Sequence, residues 1–142
     1  MKFSDIEEQN WEQLAPYLDT CLLPLTGLDG TEKPWQATNA LEKLRDFLDL
    51  IEIPFRGRIV TYPAAHYELL EERASEKLDK LCSRLKTVFR YVIVASAKPE
   101  AANLRLENAD LLLVATGDPE KDKNDTAQAV ARMWSEAADH AN

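Results

Sequence analysis

The stretch VFRYVIVA (residues 88–95) decides the fold, because it is apolar and β-branched enough to form a strand buried on both faces. Three shorter runs have the same character: Leu22–Leu25, Arg58–Thr61 and Leu111–Ala115. Amphipathic helical stretches separate the four runs, and this alternation is typical of a parallel sheet covered by helices. The sequence therefore predicts a single-domain α/β fold, a Rossmann-like three-layer sandwich of four to five mostly parallel strands with helices on both faces.

Capping residues and prolines predict where the helices and loops begin and end. In the first half of the chain we predict a helix over residues 1–15 capped by Ser4, a strand over 17–25, a Gly/Pro loop over 26–36, a helix capped by Thr38 or Asn39, and a strand over 59–62. A long helix then follows Pro63, with an apolar stripe from Leu70 to Leu85. The second half continues with a short helix over 98–108, a buried strand over 111–115, a last helix capped by Asn124 or Asp125, and a frayed tail over 139–142.

Composition limits the classes of partner that we expect. The 142 residues are 45% hydrophobic and 30% charged, as in a soluble globular protein. The net charge is −8 and most of it falls in the first half of the chain, without the basic stripe that nucleic acid requires. No apolar run reaches the roughly 18 residues of a membrane span, and the first residues lack the apolar core of a secretory signal. We therefore expect a cytoplasmic protein with no membrane span and no nucleic-acid partner.

Known catalytic and cofactor motifs are missing from the sequence. It contains no phosphate-binding GxxxxGK[ST] or GxGxxG run, no GxSxG nucleophile elbow and no CxxC pair. Cys21 and Cys82 are both predicted to be buried apolar side chains, and with two histidines they form no zinc spacing. We therefore expect no metal and no cofactor, and the common NTPase, dehydrogenase and hydrolase mechanisms are unsupported.

The carboxyl edge of the predicted sheet is where a ligand would bind, because the loops at that edge surround the usual crevice. The polar candidates there are Thr26, Tyr62, His66, Ser96, Thr116 and Asp118. His66 is the one histidine outside the tail, and a neutral imidazole at this edge is suited to a general base or a hydrogen-bond donor. The alternative is that His66 packs beside Tyr62 and Tyr67.

Three further features have two interpretations each. Trp35, in the predicted loop, either covers the core or stacks on a ligand or a partner. The acids of the last loop, from Asp118 to Asp125, form a solvated segment or else offer a weak Mg²⁺ site on Asp118 or Asp122. Asp19, in an apolar strand, either lies at the solvated start of that strand or is a buried carboxylate with a partner.

The stretches DTCLLPL (residues 19–25) and FRGRIVTYP (55–63) resemble the YpiF family of bacilli. That family consists of small cytosolic proteins of unknown function. Its genes tend to lie near those of the menaquinol–cytochrome c reductase, so the resemblance implies a link to respiration. It implies no catalytic residues.

A second, local stretch is similar to nucleoside 2-deoxyribosyltransferases. In those proteins a hydrophobic strand leads through an acidic loop into a helix that carries a threonine and a nucleophilic glutamate. ADLLLV (residues 109–114) and KNDTAQA (123–129) follow that order, with Thr126 at the threonine position. Ala129 stands at the position of the glutamate, whose carboxylate the glycosyl-enzyme needs. The resemblance therefore implies a nucleotide-like ligand without the transferase activity.

Two functional hypotheses follow. The leading one is a non-enzymatic cytosolic binding or accessory protein, which the first resemblance links to assembly or regulation of a respiratory complex, with Trp35 and its loop as the partner surface. The alternative is a site for a nucleotide-like or phosphorylated small molecule at the carboxyl edge, with or without catalysis. A homodimer through the helix bearing Leu70–Leu85 is a third hypothesis.

Overall fold

A computed structural model describes residues 1–66 and 73–140. It contains one parallel sheet with the strand order β2-β1-β3-β4. The strands are β1 (Thr20–Leu25), β2 (Ile59–Thr61), β3 (Tyr91–Ser96) and β4 (Leu111–Val114). The single-domain α/β fold with parallel strands is thereby confirmed.

Helices cover both faces of this sheet. They are α1 (Glu8–Leu14), α2 (Pro34–Glu52), α3 (Ala74–Leu85) and α4 (Pro119–His140), with two short 3-10 helices at Phe3–Asp5 and Pro99–Asn103. Side chains of α1 and α3 pack on one face, which we call the α3 face. Side chains of α2 and α4 pack on the other, which we call the α4 face. The result is the expected three-layer sandwich.

Alternation along each strand divides the core between the two faces. Cys21, Leu23 and Val92 point to the α3 face, whereas Leu22 and Ile93 point to the α4 face, and all five are 3% exposed or less. Strands buried on both sides read as continuous apolar runs, which is why β1 and β3 are recognisable in the sequence. Cys82 of α3 is fully buried as well, so both cysteines are core residues as predicted.

Pro24 lies inside the central strand β1, where a missing N–H would normally break a ladder. Thr20 and Thr26 donate their N–H groups toward the β2 side, so the nitrogen of Pro24 faces that side too. β2 ends at Thr61, the Tyr62 N–H still donates to the Leu22 carbonyl at 2.9 Å, and the next bond to β1 is the one from the Ala65 N–H to the Pro24 carbonyl at 2.9 Å. Pro24 therefore lies where the regular pairing of β1 with β2 has ended.

The outer edge of β2 is covered by the first residues of the chain. Lys2 forms a parallel bridge with Thr61, whose N–H donates to the Met1 carbonyl at 2.8 Å. The Met1 amino group donates to the Ile59 carbonyl at 3.0 Å. This single-residue bridge is the nearest approach to a fifth strand in the part of the chain that the structure describes.

The long helix predicted to follow Pro63 does not begin there, since Ala65 bridges Leu25 and α3 begins at Ala74. Two other predicted helix starts were wrong for a shared reason. α2 begins at Pro34 rather than after Thr38 or Asn39, and α4 begins at Pro119 rather than after Asn124 or Asp125. Proline is favoured at the first helical position because its fixed φ suits the helix and its missing N–H costs nothing there. The loop predicted over 26–36 therefore ends at residue 33.

The other predicted helix and strand boundaries differ from the observed ones mainly in segments without a clear hydrophobic period. The N-terminal segment is a 3-10 turn followed by α1, so Ser4 caps no helix; the predicted helix over 98–108 is a 3-10 helix of five residues. β1 starts three residues later than predicted, β2 ends one residue earlier, and β3 runs from 91 to 96.

β4 is an edge strand with all four side chains half-buried, not the buried strand that its leucines predict.

Two predictions lie partly or wholly outside the described residues. Tyr67 and Leu70 belong to the segment 67–72, which the structure does not describe. α4 extends through His140, so the helix continues into the tail predicted to fray, and residues 141–142 are again outside the description. Within the described ranges, every helix is too short or too polar to cross a bilayer.

Candidate functional site

Three of the predicted polar residues lie at one edge of the sheet. Thr26 follows β1, Ser96 ends β3 beside Leu25, and Thr116 follows β4 after Ala115, whose N–H donates to the Ser96 carbonyl at 3.0 Å. β1 and β3 are neighbours, but β2 lies beyond β1 and β4 beyond β3. The chain therefore leaves these two strands in opposite directions, which creates the switch point where open α/β sheets bind ligands.

Thr26 and His66 meet at this switch point. Thr26 Oγ1 lies 3.1 Å from His66 Nδ1 and 3.3 Å from the Ala65 carbonyl oxygen, and it accepts a weak 3.4 Å bond from the Leu28 N–H. Thr26 is 3% exposed, whereas His66 is exposed to solvent. A hydroxyl has one proton to donate, so the histidine tautomer decides whether Oγ1 donates to the ring or accepts from it.

The other polar side chains at this edge make hydrogen bonds to backbone groups of their own loops. Ser96 is fully buried and its Oγ accepts the Lys98 N–H at 3.2 Å. Asp118 is the N-cap of α4, with Oδ1 accepting the N–H groups of Glu120 and Lys121 at 3.1 and 3.3 Å. These contacts are the ordinary means of closing a turn and a helix start.

Asp122 has a structural role at this edge that neither interpretation of the last loop, a solvated segment or a weak Mg²⁺ site, includes. It lies in the first turn of α4 and is 5% exposed. Its Oδ1 accepts the Thr116 hydroxyl at 2.7 Å, and both oxygens accept the Thr116 N–H at 3.0 and 3.1 Å. Asp122 therefore fastens α4 to the end of β4. Only the Asp–Pro helix start at 118–119, which turns this loop into helix, could have revealed it.

Thr126 and Ala129 show how far the transferase likeness extends. The Thr126 hydroxyl is buried and donates to the Asp122 carbonyl within α4. Ala129 lies three residues further along the same helix and offers no nucleophile. No group of three or more metal-ligating side chains converges among the described residues.

Tyr62 lies apart from this polar edge, in a chain of four aromatic rings on the α3 face. Its ring contacts Phe3 at 6.2 Å and Phe89 at 5.2 Å, and Phe89 contacts Trp11 at 5.9 Å, all edge to face. Burial raises the pKa of the Tyr62 phenol above its usual value. This edge-to-face geometry is favourable for aromatic pairs.

A groove of about 520 Å³ opens along these rings, and we call it the aromatic groove. It is lined by Phe3, Ile6, Glu7, Glu8, Trp11, Val60, Tyr62, Pro63, Val88 and Phe89. Phe3 is 47% exposed and Val88 54% exposed, so two apolar walls face solvent. Glu7 and Glu8 supply its only charged groups among the described residues, and both are negative. No periodic pattern in the sequence indicates this groove, because its walls come from three separate segments.

Trp35 lies in the first turn of α2, not in a loop, and is 61% exposed. It belongs neither to the aromatic groove nor to the described aromatic contacts. The part of the predicted dimer stripe that is described, from Ala74 to Leu85, packs against the sheet on the α3 face. That stripe is therefore occupied by the protein's own core.

Asp19 lies immediately before β1, as one interpretation predicts, and it is half-buried with a charged partner, as the other requires in part. Both of its carboxylate oxygens accept from Arg58, at 2.9 and 3.1 Å, and the guanidinium carbon lies 4.0 Å from the Trp134 ring centroid. Trp134 Nε1 in turn donates to Thr20 Oγ1 at 3.0 Å. The cluster joins the starts of β1 and β2 to α4, at the amino end of the sheet and away from both candidate sites.

Comparison with known proteins places the chain in a family. No curated protein and no solved structure matches the chain. The model of a family described as a protein of unknown function, DUF2487, matches residues 9–132. That span includes all four strands and most of α4. The chain therefore belongs to the DUF2487 family of proteins of unknown function.

Proposed function

We propose that this protein is a non-enzymatic binding or accessory protein, and that the aromatic groove is its contact surface. The single observation that carries the proposal is the solvent-open apolar groove lined by the edge-to-face ring cluster. The polar groups at the carboxyl edge, by contrast, mostly close their own loops. Aromatic side chains in a preformed groove are the usual anchors of protein contacts.

The groove's charge specifies the chemistry of the partner. Glu7 and Glu8 border an otherwise apolar surface, on the half of the chain that carries most of the net charge of −8. A partner segment with a large apolar side chain flanked by Lys or Arg complements both properties. The resemblance to the YpiF family supplies the finer part of the proposal, that the partner belongs to a respiratory complex during its assembly or regulation.

The test is panning of a random peptide library against the full chain, followed by binding measurements on the enriched peptides. The expected consensus is an aromatic or aliphatic anchor with basic neighbours. Val88→Asp, which puts a charge on the groove wall, should weaken binding at least about tenfold, a loss of about 1.4 kcal/mol.

Ile53→Asp is the matched control. Ile53 is also β-branched and is 56% exposed, close to the 54% of Val88, but it does not line the groove. Enriched peptides that bind the Val88→Asp variant as tightly as the parent, or that lose binding equally to Ile53→Asp, would refute the proposal.

A second candidate function is binding of a nucleotide-like or phosphorylated small molecule at the β1–β3 switch point. The observation in its favour is that Thr26 and the exposed His66 meet there at 3.1 Å. A thermal-shift panel of nucleotides and sugar phosphates, with and without Mg²⁺, tests it. A ligand at 100 times its Kd should stabilise the fold by about 2.7 kcal/mol. The shift should disappear in His66→Ala and persist in Val88→Asp.

A further inference from the structure

The loop between β1 and α2 contains the one Asp–Gly bond of the chain, between Asp29 and Gly30. The other three glycines follow Thr26, Arg56 and Thr116, so no other carboxyl or amide side chain precedes a glycine. An aspartate before glycine closes to a succinimide faster than one before other residues, because glycine has no side chain to shield its nitrogen. Both residues of the bond are exposed to solvent.

Ring closure and reopening at this bond need only water. The Gly30 nitrogen attacks the Asp29 Cγ and loses its proton, while one carboxyl oxygen takes up protons and leaves as water. A second water then opens the ring. Attack at Cγ restores aspartate, whereas attack at the α-carbonyl leaves the chain running through the side chain, as isoaspartate. One water is lost and one is gained, so the mass of the product is unchanged.

Thr31 holds the carboxyl group of Asp29 in the unreactive form. The Thr31 hydroxyl donates to Asp29 Oδ1, and the Thr31 N–H donates to the same oxygen at 2.8 Å. These bonds stabilise the ionised carboxylate, and they hold the pKa of the Asp29 carboxyl below its usual value. Since an ionised carboxylate cannot lose an oxygen as water, both bonds slow ring closure.

Glu32 holds the attacking nitrogen. The Gly30 N–H donates to Glu32 Oε2 at 3.0 Å, and the Asp29 N–H donates to Glu32 Oε1 at 2.6 Å. Attack requires the nitrogen to leave the plane of its peptide group, so hydrogen bonds that fix this plane oppose it. Hydrogen bonds to a charged acceptor are the stronger kind, and Glu32 is half-buried, which limits competition from water.

We propose that Asp29–Gly30 is a site of aspartate-to-isoaspartate conversion, and that Thr31 and Glu32 restrain the conversion in the folded loop. All four hydrogen bonds lie within residues 29–32, so the inference is independent of the aromatic groove and of the switch point. Conversion lengthens the main chain by one carbon atom shortly before α2 begins at Pro34. The rate of this modification is therefore set by four local bonds.

The test compares the folded chain with a synthetic peptide of residues 26–33, which serves as the unrestrained reference. Both are warmed at mildly acidic pH in water enriched in ¹⁸O and digested, and the isoaspartyl peptide is separated by liquid chromatography. Mass spectrometry then detects the ¹⁸O atom that each ring opening introduces. We expect the folded chain to convert at least about tenfold more slowly than the peptide, because reaction requires local opening of the loop.

Two variants remove the restraint in separate ways. Thr31→Val lacks the hydroxyl donor and Glu32→Ala lacks both acceptors, and each should speed conversion at least about threefold. Thr38→Val is the matched control, because the Thr38 hydroxyl is also exposed but donates to the Pro34 carbonyl; its rate should equal that of the parent.

Three results would overturn the proposal. A peptide that does not convert shows that the bond is not a modification site. A parent chain that converts as fast as the peptide shows that the folded loop gives no restraint. Variants at Thr31 and Glu32 that convert no faster than Thr38→Val show that these two residues do not supply it. Circular dichroism establishes that each variant is folded before its rate is scored.

Discussion

The contact between Asp122 and Thr116 predicts a specific coupling free energy. In the folded protein the buried carboxylate accepts the Thr116 hydroxyl at 2.7 Å and its N–H at about 3.0 Å. Removing the carboxylate leaves the Thr116 N–H without its acceptor beside the buried end of β3. Bonds to a charged group contribute about 1.5–3 kcal/mol each, so we expect Asp122→Ala to lower the free energy of unfolding by about 2–4 kcal/mol.

Thr116→Val removes the hydroxyl, which donates to Asp122 and also accepts the Asp118 N–H at 3.2 Å, so it should cost about 2 kcal/mol in the parent. In the Asp122→Ala background only the bond from Asp118 remains, so the same substitution should cost only about 0.5–1 kcal/mol. The double-mutant cycle should therefore give a coupling free energy of about 1–1.5 kcal/mol. The loss of about 2–4 kcal/mol expected for Asp122→Ala is a large part of the free energy of unfolding of an ordinary domain, which is about 5–15 kcal/mol.

Urea unfolding followed by circular dichroism measures all four corners of the cycle. With a slope of about 2 kcal/mol per M for a domain of this size, Asp122→Ala should lower the midpoint by about 1–2 M. Asp125→Ala, at an exposed position of the same helix, is the control and should change stability by less than about 0.5 kcal/mol. If Thr116→Val costs the same with and without Asp122, the coupling does not exist and the reasoning fails.

Three further predictions concern other parts of the molecule. Burial raises the pKa of Cys21 to about 12 and of Cys82 to about 11, from the ordinary 9.0, so the unfolded chain loses these protons first. Their contribution to stability is complete below pH 9 and falls above it by up to about 1.4 kcal/mol per thiol per pH unit. The urea midpoint of the parent should therefore fall more steeply between about pH 8 and pH 10 than that of Cys21→Ala, and equal slopes would contradict this. Arg58→Lys cannot both bridge the Asp19 oxygens and stack on Trp134, so it should cost about 1 kcal/mol and change tryptophan fluorescence, while Arg45→Lys at an exposed pair should change neither. Trp35→Ala should leave the thermal midpoint within about 1–2 °C of the parent, because the side chain is 61% exposed; a larger drop would show that it covers the core.

The strands and their parallel orientation, though not their order in the sheet, could be predicted because burial on both faces leaves a local signature. VFRYVIVA and the shorter runs are apolar without interruption, and strand–helix alternation excludes most other folds. The half-buried state of β4 could not be predicted in this way. A leucine run looks the same in a central strand and in an edge strand, and only the strand order distinguishes them.

The candidate sites were harder to predict because they depend on contacts between distant residues. Asp19 and Arg58 are 39 positions apart, and nothing near Asp19 in the sequence indicates its partner. Thr26 and His66 were placed at one edge correctly, since both follow strands of a parallel sheet. Tyr62 also follows a strand, but its ring turns onto the α3 face, because Phe3 and Phe89 surround it there.

The first residues of the chain cover the free side of β2, and this protects that edge of the sheet. The Met1 carbonyl accepts the Thr61 N–H and Lys2 bridges Thr61, so a strand from another chain finds this edge already occupied. A variant whose first residues no longer pair with Thr61 would expose the edge, and its tendency to self-associate should increase.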